Sequence, residues 1–180
     1  MLGLKRGTVS LMPHDPQWAL RAADTITLLK SALQDAAVDI QHVGSTAIKG
    51  IHAKPIIDIA VGMRNFSVVP DYIPILEPLG IHYRKQDVQG QHLFIVGEGD
   101  IRTHHIHFVE WNDEAWNNYV NFRDYLNAFP EKALEYDALK QRLAAENQNN
   151  RGSYTAGKQM LINQLLWEAK LWRSAITGCK

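Results

Sequence analysis

At 180 residues, with 46% hydrophobic and 21% charged side chains, the chain has the composition of an ordinary soluble globular protein with one substantial core. Its 19 basic and 19 acidic residues cancel, which excludes a global field drawing it onto nucleic acid or membrane and makes any basic site a local one. The single cysteine, Cys179, excludes an internal disulfide; with no apolar signal-peptide run at the N-terminus and no stretch of about 18 apolar residues, this predicts a cytoplasmic protein.

In chain order, Val9–Met12 reads as a short edge strand. Asp15 is placed to cap a helix with Pro16 at its first position. Trp18, Arg21, Ala22, Ile26, Leu29 and Leu33 then recur at three- and four-residue steps, predicting an amphipathic helix to Ala36. Val38–Val43 alternates as a strand running into Gly44-Ser45, and Ile56–Val61, nearly all β-branched, predicts a central strand. Pro70, Pro74 and Pro78 shorten or break any helix over Val69–Leu79. Strands are expected at Ile81–Tyr83, His92–Val96 and Thr103–Glu110, linked by a polar loop around Gly90 and by the hairpin turn Gly97–Asp100. After Glu110 the pattern becomes helical: Asn112–Ala128, Glu131–Asn147 and Ser153–Ile176, separated by Pro130 and the polar Asn147–Gly152 loop. Helix, mixed strands and a run of helices make an α+β fold with a mixed β-sheet flanked by helices and a helical C-terminal region. One domain spanning 1–180 is expected, sheet-rich over 1–111 and helical over 112–180.

Chemistry concentrates in Gln41–Gly62. Gly44 lets backbone approach an anion, and Ser45 and Thr46 offer hydroxyls beside an expected helix N-terminus. Asp58 is an acidic residue in an apolar strand, so it needs a partner, a metal or solvent. Strand parity turns Asp58 and Ala60 away from the core side of Ile57, Ile59 and Val61; likewise His105 and His107 oppose Ile106 and Phe108. If the two strands are neighbours, one carboxylate and two imidazoles share one open sheet face. The helical half repeats a Tyr-to-Lys step of four, Tyr136–Lys140 and Tyr154–Lys158, which with Arg123 brings cations to one groove or else forms a solvated face.

These stretches resemble the GrpB family, a group with a nucleotidyltransferase-like fold that also appears fused to dephospho-CoA kinases. The similarity runs from about Val9 to Ala175 and is most specific at His42–Ala47, Ala53–Ile59 and Arg102–His107, with Asn121–Leu126 and the two Tyr-x-x-x-Lys steps also fitting. The resemblance implies that Gly44 and Ser45 seat nucleotide phosphates and that Asp58 is the first of two strand acids binding metal. The second acid position is Ala60, a departure that leaves one strand carboxylate where two-metal chemistry needs more oxygen ligands. Lys49 is a second departure, where the family often carries proline.

The function expected on these grounds is a metal-dependent nucleotidyltransferase-like protein that binds an NTP and transfers a nucleotidyl group to a small-molecule acceptor. Asp58, His105 and His107 are its catalytic candidates, and the same three with Glu110 its metal ligands, for Mg²⁺ or Mn²⁺ ahead of Zn²⁺. Gly44, Ser45, Thr46, Lys54, Arg102, Arg123, Lys140 and Lys158 would hold phosphates, with Tyr136 and Tyr154 nearby. The alternative is a non-catalytic nucleotide- or coenzyme A-binding module that has lost turnover, supported by Ala60. A zinc hydrolase built on the histidines is a third reading. Nucleic acid is unmotivated as a partner, and a homodimer stays open because some of the five tryptophans could serve an interface as readily as a core.

Overall fold

The computed structural model describes residues 1–88, 90–148 and 150–178. Its first long element, helix α1 (Gln17–Leu33), starts where the Asp15 carboxylate accepts a hydrogen bond from the Gln17 backbone N–H at 2.9 Å. Trp18, Ala22, Leu29 and Leu33 form its buried stripe, while Arg21 stays exposed. The helix stops short of Ala36 because Gln34 takes a positive φ of 47°, and a 3₁₀ turn, Gln34–Ala36, completes the expected span.

The stripe packs on a five-stranded sheet built from β2 (Ala37–Val43), β3 (Ile57–Met63), β4 (His82–Val88), β5 (Gln91–Val96) and β7 (His104–Glu110), in the order β2-β3-β7-β5-β4. Only β3 and β7 run parallel; the other neighbours are antiparallel. The strand expected at the centre is therefore interior, one place from the middle, which β7 occupies. Ile40, Ile57, Ile59, Val61, Phe94, Ile106 and Phe108 face α1 and form the main core. A separate pair, β1 (Leu4–Lys5) with β6 (Ile101–Arg102), lies beside the sheet.

The expected strand at Val9–Met12 is not formed. Gly7, at φ +87°, turns the chain after β1, the Val9 N–H bonds to the Gln148 carbonyl, and Met12 makes one isolated bridge with Ala53. The proline-rich stretch holds a single four-residue helix, α2 (Ile73–Leu76), between 3₁₀ segments. In the loop around Gly90, Gln89 lies outside the described residues, as do Asn149 of the Asn147–Gly152 loop and Cys179.

The helical half comprises α3 (Glu114–Ala128), α4 (Pro130–Glu146), α5 (Arg151–Gly157) and α6 (Gln159–Thr177). Its last expected helix is thus two. The break falls at Gly157-Lys158: a Cβ on Gly157 would lie 2.7 Å from Leu143 of α4, so the close helix contact selects glycine, which is also a poor helix former. Helix α3 lies on the sheet face opposite α1, where Trp116 covers Val43, Ala60 and Val109. Leu126, Tyr136, Leu165 and Ala169 bind α3, α4 and α6 around Ile48 and Ile51. Among the described residues no helix is long and apolar enough to cross a membrane.

Candidate functional site

Strand pairing builds the site. Parallel register sets Asp58 beside His105 and Ala60 beside His107, while Val43 lies opposite Asp58 on the other side. The condition for the shared face is met: His105 Nδ1 and His107 Nε2 approach the same Asp58 Oδ1 at 3.4 and 3.3 Å. Just past Val43, Gly44 turns the chain at φ +69° into the 3₁₀ turn Ser45–Ala47. No other residue fits there, since a Cβ at position 44 would lie 2.5 Å from Asp58 Oδ2. The expected helix N-terminus at Ser45 is only this 3₁₀ turn, so the anion-binding capacity of a full helix end is missing.

The shared face is open only at the Asp58 end. Ala60 is fully buried against Trp116, so the missing second acid is a packed position rather than a gap in the site. His107 sits partly under α3, its ring 4.9 Å from that of Tyr119, and its buried Nδ1 has no hydrogen-bond partner among the described residues. His105 alone of the pair borders the cavity.

That cavity, of about 240 Å³, lies between the Gly44–Ala47 turn, the Lys54–Asp58 stretch and helices α4 and α5. Lys54, Lys140, Arg151 and Lys158 line it, against one carboxylate, Asp58. Ser45 and Thr46 line it too, although Thr46 is buried with its hydroxyl 2.9 Å from His42 Nε2. Lys54 and Lys158 lie over the Tyr154 ring at 4.3 and 4.4 Å from its centroid, and Lys140 lies 4.8 Å from that of Tyr136. The phenols are therefore the buried platforms on which the ammonium groups rest.

Charge crowding marks the cavity. Burial, then the charges of Lys158 and Arg151, push Lys54 down to about 8. Burial also pushes Lys158 down to about 8, with Arg151 adding to the fall and Asp58 opposing it. Lys140 falls to about 8 through burial, against the pull of Asp137. Burial alone would raise Asp58, but hydrogen bonds from His105 and His107, with their charge, hold its carboxyl well below the usual carboxylate range. Burial pushes the Tyr136 phenol up to about 12, and it raises Tyr154 further still. A cavity of this kind holds its ammonium groups at an electrostatic cost that an entering polyanion removes.

Several expected residues lie elsewhere. Glu110 pairs with Met63, five residues along β7 from His105, so it is at the far end of the strand and cannot share an ion with Asp58. Arg123 spends its guanidinium on Gln41, the His42 carbonyl and Asp124, clamping α3 to β2, and does not line the cavity. The Asn121–Leu126 motif is likewise structural: Asn121 and Asp124 hold Arg173 of α6, and Tyr125 donates to Glu168. Lys49 is exposed, its backbone N–H held by Asn127, and adds no charge to the cavity. Arg102 lines a smaller adjoining chamber rather than this one.

A two-ion centre does not fit these residues, because its second carboxylate would be the buried Ala60. Among the described residues no group of three His, Cys, Asp or Glu side chains is arranged to hold a metal ion. Sequence reasoning missed two features. Arg151 stands three and seven residues before Tyr154 and Lys158, a helical spacing that could have placed it on their face. Asp137, buried beside Tyr136, accepts from the backbone N–H of His52 and lies 2.8 Å from its Nδ1, and it pairs with Lys140 at 3.4 Å.

Comparison with known proteins agrees with this architecture. The family model described as GrpB protein matches residues 8–168. The glutamate-rich protein GrpB of Alkalihalophilus pseudofirmus is 37% identical over 173 residues, covering 93% of this chain and 99% of that protein. A dephospho-CoA kinase of Mycolicibacterium paratuberculosis is 26% identical over 204 residues, covering 98% of this chain but only 49% of the kinase. The crystal structure of the conserved protein GrpB from Enterococcus faecalis superposes with a TM-score of 0.84 at 27% identity, over 91% of this chain and 99% of that one. The turn, the strand acid and the two Tyr-x-x-x-Lys steps thus sit in a shared fold, and the chain belongs to the GrpB family.

Proposed function

We propose that this protein binds a nucleotide through its phosphates in the Lys54–Lys158 cavity, and does so as a binding module that does not need two metal ions. One observation carries the reading: among the described residues four cationic side chains, of which Lys140 is already paired with Asp137, converge on a cavity lined by a single carboxylate. Lysines and arginine there supply the positive charge that metal ions supply in a two-ion site, and the Gly44 turn gives backbone access beside them. A nucleotide or coenzyme A is the natural phosphate carrier, given the relative that is a dephospho-CoA kinase. Ala60 under Trp116 argues against retained two-metal turnover.

Titration calorimetry with ATP, GTP and coenzyme A, in EDTA and again with Mn²⁺, tests this. Binding that survives EDTA is expected; no binding of any of the three in either condition ends the reading.

Nucleotidyl transfer to a small acceptor is favoured by one feature. His105 borders the cavity with its Nδ1 engaged by Asp58, an arrangement that suits a general base acting through Nε2. Overnight incubation with α-labelled NTP and candidate acceptors would reveal it; transfer abolished by His105→Gln would establish this second reading over the first.

A further inference from the structure

Next to the main cavity lies a second, smaller chamber of about 30 Å³, which the proposed function leaves unused. The two share a wall: Lys54, Ile56, His105 and Arg151 line both. The outer chamber is closed on its other side by the β1 segment running from Leu4 to Thr8 and by Arg102 of β6. This lid is held firmly. Leu4 pairs with Arg102 and Lys5 with Ile101, the Gly3 N–H donates to the Pro55 carbonyl at 2.7 Å, and the Arg6 N–H donates to the Asp100 carbonyl at 2.8 Å.

Charge in the outer chamber is of one sign. Lys5, Arg6 and Arg102 join the shared Lys54 and Arg151, and among the described residues no acidic side chain lines it. Arg102 donates from Nη1 to the carbonyls of Gly99 and Ile101, which fixes the guanidinium while leaving Nη2 and Nε to other acceptors. A guanidinium pinned through one nitrogen, with others pointing elsewhere, suits planar two-point recognition of a phosphate. A volume this small excludes a nucleobase and admits only the oxygens of a phosphate group reaching in past the shared wall. Two abutting cationic chambers of unequal size call for phosphate at two places.

We propose that the ligand carries two separated phosphates, a phosphoryl group or chain in the Lys140–Lys158 cavity and a single phosphate in the Arg6–Arg102 chamber. A nucleoside phosphorylated on both its 5′ and 3′ oxygens has this chemistry; a single long polyphosphate threading both chambers is the other source of it. The inference rests on the phosphate-binding reading above and narrows it to a substrate class.

Calorimetry on the full chain in EDTA tests it with three probes: adenosine 3′,5′-bisphosphate, ADP, which has the same number of phosphates in one chain, and inorganic tripolyphosphate. The bisphosphate is expected to bind about tenfold more tightly than ADP, the worth of one added charged contact. Arg102→Gln should remove that preference and leave ADP affinity unchanged. Because Arg102 also pins the Gly99–Ile101 turn, Arg6→Gln is the second variant; its side chain is exposed, and it should reduce the preference in the same direction. Tripolyphosphate binding tightest, and weakened by both variants, would assign the two chambers to one chain and overturn the separated-phosphate proposal. ADP binding as tightly as the bisphosphate, still abolished by Lys158→Met, would overturn it while leaving the phosphate-binding reading standing. No binding of any probe would end both.

Discussion

Two helix segments of this protein carry the same Tyr-x-x-x-Lys step and use it differently. On α4, Lys140 is fully buried, pairs with Asp137, donates to the His52 carbonyl and rests on Tyr136. At the α5–α6 junction, Lys158 is half-buried over Tyr154 and, among the described residues, meets no carboxylate at ion-pair distance. Spacing gave both lysines a common face with their tyrosines, but it could not distribute their partners. The first lysine holds the fold together; the second is held ready by it. Identical local patterns therefore support structure at one end of the cavity and recognition at the other.

Removing the acid behind Lys140 should produce the largest effect. Asp137→Ala leaves a buried ammonium without its counter-charge and frees His52, at an expected cost of about 3–5 kcal/mol in urea unfolding. A loss below about 1 kcal/mol would mean Lys140 is no more tied to the fold than Lys158, and the contrast between the two would collapse.

Lys140→Met should cost less, roughly 2 kcal/mol, because Asp137 keeps its bonds from His52 and from Gln141 at 2.9 Å. Lys158→Met should reverse the pattern. Its unfolding free energy is expected to stay within about 1 kcal/mol of the parent, since one of several crowded charges is gone. ATP affinity measured by calorimetry should nonetheless fall at least about tenfold, the value of one charged contact to phosphate. Equal loss of affinity without loss of stability in Lys140→Met would show that both lysines are free.

The contrast also explains what was legible beforehand. Asp58, His105 and His107 could be placed on one face because strand parity is a strict rule, and the parallel pairing of β3 with β7 then brought them together. Parity says nothing about what covers a face, so α3 lying over Ala60 was invisible, and so was the distinction between His105 at the cavity and His107 beneath Tyr119. Arg123 and Glu110 were misplaced for related reasons. The bonds of Arg123 to Gln41 and His42 cross 82 and 81 residues of chain, a tertiary contact that no local pattern encodes. Glu110 shares a strand with the histidines, but strand length carries it to the other end. Helix boundaries were sound where caps and prolines set them, as at Asp15 and Pro130, and failed at Gly157, where the contact with Leu143 decides.

The smallest expected effect is the most discriminating between the two lysines. Lys54, Lys140 and Lys158 are all held near 8 in the folded protein, against an ordinary value of 10.5. Between these values the unfolded chain holds more protons than the folded one, so unfolding free energy rises with pH. Each group contributes about 1.4 kcal/mol per pH unit at most, and solvent screening of the exposed part of these side chains brings the combined rise down to about 1 kcal/mol. The window closes near pH 10, where the raised phenols of Tyr136 and Tyr154 begin to act with the opposite sign. Urea unfolding between about pH 8 and about pH 9.5 should show the rise in the parent. Lys158→Met should reduce it by more than the share of Lys158 itself, because the charge of Lys158 adds to the burial that depresses Lys54 and Lys140, whereas Lys140→Met should remove only the share of Lys140. A fall no larger than the share of Lys158 itself would show that burial alone, without mutual repulsion across the cavity, sets these lysines, and the electrostatic case for a polyanionic ligand would lose its main support.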